Sequence, residues 1–177
     1  MPVTRSIVIT GFMGSGKTSV AEALAELVRC SAIDLDTEIT RQEDRTPAQL
    51  ITENGDADFR KIETSVLRQV LARGAPIIAL GGGAWTISKN RDLLKEFNAF
   101  SVWLDVPFGD CWKRIAATRI NRPLAPDRKK AKALYDFRRP LYELAELRVE
   151  VSRGMNAEEL ARQIVAGLPN DVIAAFR

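Results

Sequence analysis

The chain has 177 residues, of which 26 are basic and 23 acidic, giving a formal charge of +3; 46% are hydrophobic and 28% charged. That length suits one domain with its own core, and so small and scattered a charge excess argues against a nucleic-acid partner. With two distant cysteines and no histidine, a disulfide framework and the common zinc sites are set aside, and any general base is expected to be a carboxylate.

The chain reads as a single unit, without internal repeats or an obvious linker. Ser6–Thr10 reads as a short apolar strand. A glycine-rich turn follows, then a helix from near Gly16 to Arg29 with Val20, Ala21, Leu24, Ala25, Leu27 and Val28 at helical spacing. Ala32-Ile33-Asp34 is a short second strand and Leu35–Arg45 a helix. Thr46-Pro47 begins the next helix and Asn54-Gly55 stops it. Asp56–Arg73 reads as a long helix with Phe59, Ile62, Val66, Leu67, Val70 and Leu71 on its apolar face, ended by Gly74. Pro76–Leu80 is a continuous apolar run, as a buried parallel strand should be, and Gly81-Gly82-Gly83 comes directly after it.

Ser88 is placed to cap a helix reaching Phe97, and Phe100–Leu104 and Phe108–Ala117 follow as strand and helix. Thr118–Asp127 carries arginines and two prolines with little apolar periodicity, the pattern of an exposed, mobile loop. A helix from Asp127, a strand near Leu147–Val151 and an amphipathic helix over Asn156–Leu168 complete the chain. Strands alternating with helices predict a parallel sheet covered on both faces, with ligands at the carboxyl ends of its strands. No signal-like apolar segment opens the sequence and no apolar run approaches membrane-spanning length, so a cytoplasmic location without membrane contact is expected. Cys30 and Cys111 are then reduced packing residues.

Gly11, Gly16, Lys17 and Thr18 fit the phosphate-loop spacing G-x-x-x-x-G-K-[ST], between a strand and a helix. Glycines let the backbone curl so that N–H groups face an anion, and the helix adds the positive end of its dipole. Lys17 is placed to reach the β- and γ-phosphates, and the Thr18 hydroxyl to hold Mg²⁺. The chain is therefore expected to bind a nucleoside triphosphate.

Asp34 and Asp36, two apart at a strand end, share a side if the backbone stays extended. One carboxylate can then hold a magnesium-bound water while the other accepts a hydroxyl's proton; alternatively, Asp36 merely caps the next helix. Arg60 belongs either to a surface pair with Asp56 and Glu63 or to a site. Arg138 lies on the apolar stripe between Leu134, Tyr135 and Leu141, Tyr142, where an inward guanidinium needs an anion such as a substrate carboxylate. Pro140 is expected to disturb the helix at Arg139. The triple glycine suits close approach of a ligand to bare backbone, or else a hinge. Arg119 and Arg122 are placed to close over phosphates, stabilising transition-state charge and excluding water.

In combination, Gly11–Thr18, Asp34-Leu35-Asp36, Phe59-Arg60-Lys61-Ile62-Glu63, Gly81–Gly83, Arg122-Pro123-Leu124 and Arg138-Arg139-Pro140-Leu141-Tyr142 resemble the shikimate kinase family. The resemblance runs from Ile7 to Leu168. It implies a single P-loop kinase domain over residues 1–177, of α/β class. The fold is three-layered, with a five-stranded parallel sheet, helices on both faces and a mobile lid at about 117–128. An acceptor-binding helical region at about 34–62 and a monomeric state are implied too. The implied reaction is Mg²⁺-dependent transfer of the ATP γ-phosphate to the 3-hydroxyl of shikimate, in aromatic amino-acid synthesis.

Carried over by residue, the resemblance has Gly14, Ser15, Gly16, Lys17, Thr18, Ser19 and Arg122 bind ATP, with Lys17, Asp36 and Arg122 catalytic. Thr18 binds Mg²⁺, and Asp34 does so through water. Asp36 is the base at the acceptor hydroxyl, while Arg60, Gly81, Gly82, Gly83 and Arg138 grip the acceptor. Arg114 falls near the adenine. Departures from the family pattern include Thr46-Pro47-Ala48-Gln49-Leu50-Ile51, with Ile51 at a usually aromatic place, Asp56 for a usual glutamate, and Ala125-Pro126 in the lid. The competing readings are a kinase for another polyol acid, of gluconate type, and a non-catalytic nucleotide-binding paralogue.

Overall fold

Ile7–Thr10 (β1), buried at every residue, is the middle strand of the sheet that organises the molecule. The computed structural model describes residues 5–118, 120, 122–174 and 176. Ala32–Asp34 (β2), Ile77–Ala79 (β3), Phe100–Asp105 (β4) and Leu147–Glu150 (β5) join β1 in the order β2-β3-β1-β4-β5. Every pairing is parallel, with Val8 opposite Ile78 on one side and Ser101 on the other. The expected five-stranded α/β architecture is thus the observed one. Strands β1, β3 and β4 are buried along their whole length, which is why they read as unbroken apolar runs. The chain leaves β1 toward β2 on one side and reaches β4 on the other. The carboxyl end of β1 is therefore a topological switch point, where open α/β sheets bind ligands.

Helix α1 (Lys17–Val28) follows β1 and packs against the late helix α8 (Ala157–Gly167). Leu35–Glu43 (α2), Pro47–Asn54 (α3) and Asp56–Ala72 (α4) lie between β2 and β3. The Thr46 hydroxyl accepts from Gln49 N while the Gln49 side chain accepts from Thr46 N, a capping box that fixes the start of α3. Gly55, at φ 86°, both ends α3 and opens α4. Ser88–Glu96 (α5), Phe108–Ala117 (α6), Arg128–Tyr142 (α7) and Asn170–Ala174 (α9) make up the remainder.

Three local expectations are corrected. Ser88 does not cap α5, because Ile87 holds that position and no side chain caps the helix. Pro140 does not break α7, which runs on to Tyr142: the proline is near the end, where the helix needs few further N–H donors. The Arg139 and Leu141 carbonyls on either side of it accept from Glu143 N and Leu144 N. The short α9 was not anticipated, five residues being too few for a periodic pattern. Among the described residues no helix is long and apolar enough to cross a membrane.

Candidate active site

The phosphate loop turns sharply out of β1. Gly14 sits at φ 75°, and a Cβ there would come within 2.7 Å of the Cys111 carbonyl oxygen, so only glycine lets the loop lie against α6. Arg114, on the same helix, donates from Nη1 to the Gly14 carbonyl at 3.1 Å. At the head of α1 the N-cap is Gly16, with no side chain satisfying the N–H groups of the first turn. Those donors, together with the helix dipole, are left for an anion. Lys17 Nζ donates to the carbonyls of Gly11 (3.0 Å) and Phe12 (2.9 Å), so the ammonium lies against its own loop. Burial lowers the Lys17 pKa to about 8, opposed chiefly by Asp36.

Asp34 ends β2, and its side chain does two jobs. Oδ1 accepts from Thr37 N at 2.9 Å, capping α2, and Oδ2 accepts from Thr18 Oγ1 at 2.5 Å. The expected common orientation of two extended carboxylates is therefore corrected: Asp34 is the cap, and Asp36 lies within the first turn of α2. Among the described residues no group of three or more His, Cys, Asp or Glu is arranged to hold a metal. A hydroxyl and a carboxylate oxygen in contact still fit a hard cation that takes its other ligands from phosphate and water.

The other end of the site is built around the triple glycine after β3. Had Gly81 a Cβ, it would lie 2.6 Å from Asp36 Oδ1 and 3.3 Å from Glu63 Oε1, so carboxylates from α2 and α4 converge on one bare Cα. Loss of solvent raises the Asp36 pKa, and Asp34 adds to this, while Lys17, Arg60 and Arg122 pull it back. Glu63 is 1% exposed and donor-matched to Arg60 Nη1 at 2.8 Å; burial pushes its pKa up to about 7 against the pull of that arginine. Arg60 also pairs with Asp56 at 3.2 Å, as the surface-pair reading has it, and lines the cavity as well.

Arg138 is 4% exposed, and among the described residues no carboxylate lies within ion-pair distance of it. A Cβ on Gly83 would collide with Arg60 Nη2 and come within 2.8 Å of Arg138 Nη2. Two guanidinium groups thus meet over one glycine, an arrangement suited to a small carboxylate.

A single cavity of about 840 Å³ joins the two ends. Among the described residues four basic side chains line it (Lys17, Arg60, Arg122, Arg138), and so do four acidic ones (Asp34, Asp36, Glu53, Glu63). Gly14, Gly16, Thr18, Ser19 and Gly81 to Gly83 reach its surface. Ser15 does not: it is 1% exposed, lying behind the wall and near Lys17 Nζ. Ile120, Arg122, Pro123 and Leu124 form part of the lining. The loop is less exposed than its composition suggests, since Ala125 is buried and Arg122 Nε is buried without a hydrogen-bond partner. Arg119 falls outside the described residues.

Sequence reasoning passed over Glu63 as a site residue. Its position four after Phe59 and three before Val66 puts a carboxylate on the apolar stripe of α4, the same signal that singled out Arg138 on α7.

Residues 13–169 match the sequence profile of a family described as shikimate kinase. A shikimate kinase of Nostoc punctiforme is 37% identical over 168 residues, covering 93% of this chain and 91% of its own. One from Cereibacter sphaeroides is 36% identical over 164 residues, covering 90% and 80%. Among solved structures, shikimate kinase from Acinetobacter baumannii in complex with shikimate superimposes with a TM-score of 0.85. It is 35% identical, and the match covers 93% of this chain and 92% of that one. A phosphate loop, converging carboxylates and paired arginines on a β2-β3-β1-β4-β5 sheet thus come with close sequence kinship, and the chain belongs to the shikimate kinase family.

Proposed function

We propose that this cavity transfers the γ-phosphate of ATP to the 3-hydroxyl of shikimate, with Mg²⁺, giving shikimate 3-phosphate and ADP. The observation that carries the reading is the continuity of one cavity from the uncapped start of α1 to the Arg60–Arg138 pair. The A. baumannii relative with shikimate bound supports it from outside.

The N–H groups at the start of α1, with Gly14 and Ser19, receive the phosphates. Lys17 leaves the Gly11 and Phe12 carbonyls for the β- and γ-phosphate oxygens, where its charge offsets that of the transferring group. Thr18 and, through water, Asp34 would hold Mg²⁺, which when bound neutralises charge between the β- and γ-phosphates. Arg60 and Arg138 take the acceptor carboxylate, and Gly81 to Gly83 let the ring approach the backbone. That places the 3-hydroxyl at Asp36. Burial makes Asp36 a stronger proton acceptor than a solvated carboxylate, and it takes the hydroxyl proton as the oxygen attacks. Arg122, with its unpartnered Nε, supplies the last positive group from the lid at about 117–128 and helps exclude water.

ADP release by purified protein, measured with ATP and Mg²⁺ in the presence and absence of shikimate, tests the assignment. Shikimate should accelerate release by orders of magnitude, gluconate should not, and phosphorus NMR should place the new ester at the 3-hydroxyl. Nucleotide consumption that ignores shikimate would overturn the reading.

A further inference from the structure

Three consecutive glycines make a poor platform unless something holds them, since each is free to sample many backbone conformations. The segment from Gly81 to Thr86 is held by side chains. Asn90 Nδ2 donates to the Ala84 carbonyl at 2.9 Å, Thr86 Oγ1 to Gly83 O at 2.7 Å and Arg91 Nη1 to Trp85 O at 2.7 Å. These three belong to the turn or to the adjoining α5. The fourth comes from 60 residues away: Tyr142 Oη, at the end of α7, donates to the Gly82 carbonyl at 2.5 Å.

Tyr142 is 1% exposed, and its ring stacks on Trp103 of β4 with centroids 6.2 Å apart. A phenol oxygen that donates its one proton keeps lone pairs for a donor, and the Arg138 guanidinium lies close enough for each group to perturb the other's ionisation. One buried oxygen therefore bonds the Gly82 backbone on one side and neighbours the Arg138 side chain on the other. A Cβ built on Gly82 would lie 3.6 Å from Arg138 Nη1, so those two are neighbours as well.

We infer that Tyr142 is a positioning residue for the acceptor carboxylate, fixing Arg138 and the Gly82 backbone in register through its hydroxyl. This rests on the assignment of Arg138 and the triple glycine to the acceptor. Burial raises the Tyr142 pKa to about 12, so the hydroxyl stays a neutral donor throughout the range in which the enzyme is assayed. The neighbouring Trp85 offers a contrast: its Nε1 donates to Leu141 O at 2.7 Å, tying the same two elements together through a different backbone carbonyl.

The test compares Tyr142→Phe with Trp85→Phe on two acceptors, shikimate and its uncharged amide. Tyr142→Phe keeps the ring and removes one oxygen. It should raise KM for shikimate roughly tenfold, the scale of a lost hydrogen bond to a charged group. KM for ATP, KM for the amide and kcat should stay within about twofold. Trp85→Phe should lower Tm and treat acid and amide alike. If Tyr142→Phe also treats the two acceptors alike, or leaves KM for shikimate unchanged, the positioning role is wrong. A parent enzyme with no shikimate-dependent turnover would instead sink the functional assignment itself.

Should Tyr142→Phe not fold, 3-fluorotyrosine incorporated into a Tyr135→Phe background leaves a single labelled tyrosine, because the chain has two. Its fluorine resonance should move on adding shikimate and stay in place on adding the amide. An equal response to both ligands overturns the inference.

Discussion

Replacing each of the three glycines by alanine should produce three different kinetic defects, because the three missing methyl groups face different partners. None of these glycines has a positive φ, so backbone strain contributes little and the added carbon itself is the perturbation. At Gly81 the new Cβ would sit 2.6 Å from Asp36 Oδ1, and ordinary contact begins at 3.4 Å, so the base must retreat by about 0.8 Å. Displacing a reacting group by about 1 Å costs on the order of a hundredfold in rate. Gly81→Ala should therefore lower kcat by tens to about a hundredfold, with KM for ATP nearly unchanged. At Gly83 the new carbon meets Arg60 and Arg138, so Gly83→Ala should act mainly by raising KM for shikimate. At Gly82 the nearest atom is Met13 N at 3.3 Å, a contact that small movements relieve, and the effect should be the mildest of the three. Steady-state coupled ADP-release kinetics with each substrate varied in turn will separate these cases. Equal defects in all three variants, or a Gly81→Ala enzyme with kcat within about threefold of the parent, would refute the convergence of Asp36 on Gly81 as a catalytic feature.

Asp36→Asn should cut kcat by about a hundredfold or more, as loss of a general base does, while ATP-analogue binding measured by calorimetry changes little. A parental turnover rate would remove Asp36 from that role. Arg138→Ala should raise KM for shikimate far more than KM for ATP, and equal effects would move Arg138 out of the acceptor corner. Lys17 must carry its proton to meet the triphosphate, and burial holds its pKa near about 8 in the free protein. As pH rises through that value kcat/KM for ATP should fall, whereas kcat should fall only at higher pH, because bound phosphates favour the ammonium. A pH profile with the two limbs superimposed would contradict this. Thr46→Ala removes one half of a capping box, which costs about 1 kcal/mol and lowers Tm by roughly 2–4 °C in a chain of this size.

The parts of this molecule that could be read from the chain are those whose partners are close in sequence. Gly14 and Gly16 need left-handed backbone, and the strand and helix on either side of them are local patterns, so the phosphate loop was plain. Arg138 stood out because a charge interrupts the apolar stripe of α7. Glu63 interrupts α4 in the same way, but its spacing from Arg60 satisfied a surface-pair pattern first, and only burial shows that the pair is internal. Asp34 and Asp36 stand out as a pair, but which of them caps the helix does not, because whether a strand ends at one residue or the next depends on tertiary pairing. The bond from Tyr142 to Gly82 spans α5, β4 and α6, and no local pattern announces it.

The mixture of basic and acidic side chains around the cavity bears on how substrates arrive. A cleft lined by one sign of charge draws in its ligand over a Debye length and loses that advantage as salt is added. Among the described residues Lys17, Arg60, Arg122 and Arg138 share the cleft with Asp34, Asp36, Glu53 and Glu63, so the acidic groups offset part of the positive field that reaches solvent. Capture of the polyanionic nucleotide then depends on donors that act at contact. Its association rate, followed by stopped flow, should vary only slightly between low and physiological ionic strength.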